Sequence, residues 1–143
     1  MPDAHLLPEL ITLSAERTPE APALTSGTRT LSYAELQAAV AGFAAGLGTL
    51  GLARADRVGI YLDKRLETVI ASFGAPAAGG VFVPVNPLLK PEQVGYILRD
   101  CNVRVLVTSA ERLPQLAATL AECPDLRHVV VCGTAAATAK ARP

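Results

Sequence analysis

The chain has 143 residues, half of them hydrophobic and 18% charged, with 13 basic side chains against 13 acidic ones. That length fits one compact domain burying roughly two thirds of the surface its unfolded chain exposes. Balanced charge leaves no overall field that favours nucleic acid or an acidic membrane surface, and Met1-Pro2-Asp3-Ala4-His5 lacks the basic start and apolar core of a secretory signal, so a cytoplasmic protein is expected.

Leu6, Leu10 and Leu13 recur at steps of four and three, which predicts an opening helix over 6–17, ended by Thr18-Pro19-Glu20-Ala21-Pro22. Two short runs, 23–25 and 28–31, flank Ser26-Gly27 and predict an antiparallel hairpin. Ser32, with Glu35 three residues on, then forms a capping box, in which each side chain satisfies an otherwise unpaired amide of the other residue. Leu36, Val40, Phe43, Leu47 and Leu50 follow as one apolar helical stripe, and Gly51 is placed to end it in the left-handed conformation. A buried strand is expected over 58–62.

The same helix-to-strand unit repeats three more times. Leu66, Val69, Ile70 and Phe73 precede a strand over 81–85, with the glycine pair Gly79-Gly80 before it and Pro84 and Pro87 stopping it. Pro91, at a first-turn position, opens a helix carrying Val94, Ile97 and Leu98 before a strand over 103–108. Leu113, Leu116 and Leu120 precede a strand over 128–132. Four such units, with strands apolar on both faces, indicate an α/β fold: a mainly parallel sheet with helices on both faces, after a short N-terminal hairpin. Residues 1–132 read as one α/β subdomain and 133–143, rich in small residues, as a flexible tail or linker. Pro76 falls inside the third helix and predicts an early end or a bend there. The uncharged stretches 36–53 and 68–89 are broken by glycine and proline into core elements rather than membrane spans.

Gly46-Leu47-Gly48-Thr49-Leu50-Gly51 matches G-x-G-x-x-G, but it closes a helix and precedes a strand, whereas a dinucleotide fingerprint follows a strand and opens a helix. Gly42 and Gly46 form G-x-x-x-G, read here as a site of close helix packing. Asp63, Lys64, Arg65 and Glu67 lie at a strand-to-helix junction, the end of a parallel strand where ligands bind, although solvated charges also account for them. His128 opens a strand without a partner nucleophile, so no triad is assigned. Cys101, Cys123 and Cys132 are expected as buried reduced thiols, since they are odd in number and lack C-x-x-C spacing. Lys64, Lys90 and Lys140 are the only lysines, and none follows a glycine-rich phosphate loop.

Three segments carry a resemblance. Leu31-Ser32-Tyr33-Ala34-Glu35-Leu36, then Ala77-Ala78-Gly79-Gly80-Val81-Phe82-Val83-Pro84, then Pro91-Glu92-Gln93-Val94 with 104–108, resemble the N-terminal portion of the adenylate-forming (AMP-binding) enzymes. The similarity runs over roughly 10–132 and is most like bacterial acyl-CoA synthetases. It implies a parent that uses ATP, Mg and CoA to turn a carboxylate into an acyl-adenylate and then a thioester. The phosphate loop, adenine and ribose contacts and mobile C-terminal domain of such enzymes have no matching positions here. No catalytic, cofactor-binding or metal-binding residue is therefore transferred, and this chain alone is expected to be inactive. Its expected partners are the rest of the parent chain and, for the parent, a small carboxylate and CoA. Exposed sheet edges also lead to an expectation of self-association. The alternative is a stand-alone, non-catalytic α/β binding or interaction module.

Overall fold

The computed structural model describes residues 3–133 and the backbone of 137–141. In chain order the elements are α1 (Glu9–Arg17), β1 (Pro22–Ser26), β2 (Arg29–Ser32), α2 (Tyr33–Thr49), β3 (Arg57–Tyr61), α3 (Leu66–Ala77), β4 (Val81–Pro84), α4 (Pro91–Asp100), β5 (Val103–Ser109), α5 (Leu113–Ala121), β6 (His128–Cys132) and β7 (Ala137–Ala141). Strands β1 and β2 form the expected antiparallel hairpin, closed by Gly27 and Thr28 between paired Ser26 and Arg29. The main sheet has the order β4-β3-β5-β6-β7, with all pairs parallel except β6 with β7.

Apolar side chains divide between the two sheet faces because successive strand residues point in opposite directions. On one face Val58, Ile60, Val107 and Val130 pack with Leu47 of α2 and with Ala71 and Ala75 of α3. On the other, Tyr61, Leu106, Val129 and Val131 pack with Val94 and Leu98 of α4 and Leu116 and Leu120 of α5. The predicted two-sided α/β fold is what the chain adopts. A third cluster of Ile11, Leu31, Leu36, Val40 and Leu66 seats α1 and the hairpin against α2 and α3. Fully burying a leucine such as Leu47 or Leu98 contributes about 1.5–3 kcal/mol, so these clusters carry the fold.

The helix ends follow local chemistry. Oγ of Ser32 accepts from the Glu35 amide at 3.1 Å and Oε1 of Glu35 accepts from the Ser32 amide at 2.9 Å, completing the capping box of α2. At its other end Gly51, with φ +83°, lets the Leu52 amide reach the Leu47 carbonyl and its own amide reach Gly48. Helix α3 closes the same way at Gly79, φ +86°, with Gly80 donating to Ala75. Pro76 sits in the last turn, and the helix ends one residue later.

Three expectations change. The opening helix begins at Glu9 rather than residue 6, behind Pro8 at its N-cap, and leaves Leu6 and Leu10 exposed while Ile11 is buried. A methyl group at Gly42 or Gly46 would meet nothing within 4 Å, so G-x-x-x-G is no packing site; both glycines face open space. Part of the segment read as a tail or linker also forms a strand, because Ala137–Ala141 pairs with the otherwise bare edge of β6, with His128 opposite Ala141 and Cys132 opposite Ala137.

Candidate functional site at the sheet switch point

The chain leaves β3 through α3 and enters β4 on one side, then crosses through α4 to β5 on the other side of β3. Direction therefore reverses between β3 and β5, and α3 and α4 lie on opposite faces. Such a reversal parts the loops at the carboxyl ends of the two strands, which is where open parallel sheets receive ligands. Asp63, Lys64 and Arg65 come to this crevice from the loop after β3, and Ser109, Glu111 and Arg112 from the end of β5 and the loop after it.

Arg112 is the hub. One of its terminal nitrogens donates to the Pro87 carbonyl at 3.0 Å, the other to Oδ1 of Asp63, and its guanidinium carbon lies 4.3 Å from the centre of the Tyr61 ring. Tyr61 in turn donates its hydroxyl to the Leu89 carbonyl at 2.6 Å, so the loops after β3, β4 and β5 are tied together. Arg65 lies 3.9 Å from Glu67 and 4.0 Å from Glu111. The Glu111 carboxyl is held below the usual carboxylate range, first by its own backbone amide, then by the Ser109 hydroxyl and Arg65. At the end of β6, burial pushes the Cys132 thiol up to about 11, with Glu67 adding to the shift, so it is a poor nucleophile at neutral pH.

Chemically this is a set of mutually compensated ions around a fixed guanidinium. Ser109 is 2% exposed and its Oγ accepts from the Arg112 amide at 3.3 Å, with no histidine beside it to act as base. The arrangement can hold an oxyanion or brace loops, but it contains no nucleophile and base pair. A cleft of about 350 Å³ lined by Thr25, Ser26, Lys64, Arg65 and Thr68 lies between the hairpin and α3.

The structure brings Asp63, Arg65 and Glu67 of the sequence-read junction into this network. Sequence reasoning missed Tyr61, Glu111 and Arg112; the available signal was Ser109-Ala110-Glu111-Arg112 directly after an apolar strand. His128 begins β6 at the opposite, amino end of the sheet, and its Nδ1 is buried without a hydrogen-bond partner among the described residues. Cys123 and Cys132 are buried free thiols as expected, whereas Cys101 is only partly buried because it caps the end of α4 near the surface. The G-x-G-x-x-G backbone closes α2, so its amides are spent on helix carbonyls rather than offered to a pyrophosphate. Among the described residues no group of three His, Cys, Asp or Glu side chains is placed to hold a metal ion. The glycine-rich turn spends its amides on helix carbonyls and no lysine directly follows it, so the described residues do not fit a gripped Mg-triphosphate. No helix among the described residues is long and apolar enough to cross a membrane.

A sequence profile of the AMP-binding enzymes matches residues 11–142, nearly the whole chain. The chain belongs to the AMP-binding enzyme family. Among curated members of that family's wider circle, it is 36% identical over 110 residues to syringomycin synthase SyrB1 of Pseudomonas syringae, covering 77% of this chain and 18% of that protein. It is 37% identical over 109 residues to the 4-hydroxybenzoate--CoA/benzoate--CoA ligase of Rhodopseudomonas palustris, covering 76% of this chain and 20% of the ligase. The solved anthranilate CoA ligase AuaEII superposes with a TM-score of 0.85 at 28% identity, over 92% of this chain and 25% of that one. The chain therefore spans about a fifth to a quarter of these relatives. The segments that first carried the resemblance to AMP-binding enzymes have structural places: one starts α2 through its capping box, one closes α3 and runs into β4, and one opens α4 and forms β5.

Proposed function

We propose that this chain is the N-terminal scaffold of an ATP-dependent acyl-CoA ligase, and that the parent enzyme converts a carboxylate and ATP to acyl-adenylate and pyrophosphate, then transfers the acyl group to CoA. The carrying observation is the parallel α/β platform, which matches the AuaEII ligase over 92% of this chain. The similarity to a benzoate CoA ligase supports CoA as the acceptor, whereas the similarity to syringomycin synthase SyrB1, a synthase whose name carries no CoA, goes with a second reading in which a carrier protein takes the acyl group. In either reading the carboxylate is activated the same way and the two diverge only at the acceptor.

By itself the chain is inactive in this proposal, because the switch-point ions compensate one another and the glycine-rich turn serves a helix end. ATP, Mg and CoA belong to the parent, as do the carboxylate and the remaining chain as partners, and the cytoplasm is its setting. Carboxylate-dependent exchange of labelled pyrophosphate into ATP by the full-length parent tests adenylation. Failure with every aliphatic and aromatic acid tried would remove the enzyme reading. Thioester formation with free CoA, against loading of a carrier protein, separates the two acceptors. Stoichiometric Mg-ATP binding by the 143-residue chain would refute its assignment as scaffold only.

A further inference from the structure

We propose that Arg112 is a prebuilt oxyanion receptor at the switch point, and that the carboxylate of Asp63 stands in for its ligand. Two of the three contacts on the guanidinium are fixed parts of the fold. The Pro87 carbonyl accepts at 3.0 Å, and the Tyr61 ring, 4% exposed and anchored through its hydroxyl to Leu89, covers the guanidinium face. These contacts set the plane of the group without neutralising it, since neither carries a formal charge.

The third contact is replaceable. The Asp63 side chain is 63% exposed against 19% for Arg112, and Arg112 is the one hydrogen-bonding partner of its carboxylate among the described residues. A planar, permanently charged fork held on two sides and presented to an exposed carboxylate is the geometry that receives carboxylate or phosphate groups. Its position between the loops after β3 and β5 is where parallel α/β sheets take ligands.

The ion pairing agrees. Among the described residues Asp63 is the one carboxylate paired with Arg112, while Glu67 and Glu111 pair with Arg65. Moving the Asp63 carboxylate aside leaves the guanidinium charge without a paired counter-ion. The ligand class is a small oxyanion or the carboxylate or phosphate end of a larger molecule. This inference does not depend on the adenylating reading of the parent.

The test is a titration of the 143-residue chain and its Asp63→Asn variant, followed by nitrogen-15 NMR of the arginine side chains and by the Tyr61 ring resonances. One arm uses acetate and the other inorganic phosphate, each against sodium chloride at matched ionic strength. Saturable shifts at Arg112 and Tyr61 are expected, with binding about tenfold tighter in Asp63→Asn because the internal competitor for a charge-assisted bond is gone. The tighter arm identifies which anion class the site prefers. Adding Arg112→Lys should abolish saturation while keeping the charge; if that double variant does not fold, the Asp63→Asn titration decides alone. Absence of a saturable shift with both anions in folded Asp63→Asn, or an equal shift with chloride, overturns the proposal.

Discussion

A methyl group at Gly74 would sit 2.5 Å from Cδ1 of Phe43, so the contact between α3 and α2 closes over a bare glycine. Gly74 is buried and Phe43 lies partly buried against the same core face. The ring cannot retreat without disturbing α2. We therefore expect Gly74→Ala to destabilise the fold by about 1–3 kcal/mol, the usual cost of overpacking. Gly42→Ala is the contrast, because nothing lies within 4 Å and the residue is in the interior of α2; it should add up to about 1 kcal/mol through helix propensity. Urea unfolding of both variants checks the pair, and equal effects would disprove the packing argument.

The capping box of α2 makes a second prediction. Ser32→Ala removes the acceptor of the Glu35 amide and should cost about 1 kcal/mol in chemical denaturation. Ser32→Asp should avoid most of that loss, since aspartate accepts the same bond.

Stability should fall on the acid side in a defined window. Glu35 is lowered chiefly by the Ser32 amide, Glu9 by the His5 and Leu6 amides, and Glu111 by its own amide. A carboxyl whose folded value is depressed stabilises the fold fully above its unfolded value and loses that contribution as pH falls through the folded value. All three contributions are present above the ordinary value of 4.5 and disappear progressively below it. Replacing Glu35 with Gln should flatten part of that acid limb in thermal melts, and an unchanged limb would show that the box carries no linked proton.

Strand β4 carries its own guard against edge pairing. The amides of Val81 and Val85 donate toward β3, to Asp56 and Ile60 at 2.9 Å, so by alternation Phe82 and Pro84 turn their backbone groups outward. Pro84 has no amide hydrogen and withholds a donor from that edge. Pro84→Thr should increase self-association of the isolated chain, measured by light scattering against the parent sequence. A smaller apparent mass would count against this role.

Thiol reactivity should rank by burial. Cys101 is partly exposed, whereas Cys123 and Cys132 are buried and the Cys132 thiol is pushed up to about 11. Under native conditions at neutral pH, alkylation followed by mass spectrometry should label Cys101 first and Cys132 only on unfolding. Early labelling of Cys132 would contradict its placement in β6.

Much of the architecture was legible because it depends on local pattern. The capping box at Ser32, Gly51 as a left-handed helix end, Pro91 in a first turn and the apolar runs of β3, β5 and β6 each act through neighbours in the chain. The first helix was misplaced because the leucine spacing from Leu6 outweighed Pro8, and β7 was missed because alanine and threonine carry little apolar signal. The site was legible only in part. Asp63, Arg65 and Glu67 stand out beside a strand end, but Arg112 lies 49 residues from Asp63 and nothing in local spacing links them.

By itself, then, the order of amino acids determined the alternation of helices and strands, the two-sided sheet and the membership of the AMP-binding family, since these follow from short-range periodicity and motif. Only the tertiary structure decided that the chain reverses direction between β3 and β5, that Phe43 needs glycine at Gly74, and that Arg112 meets Asp63, Pro87 and Tyr61. Those relationships arise where strands distant in sequence lie side by side, and hydrogen bonding between strands sets that neighbourhood rather than the spacing of residues along the chain.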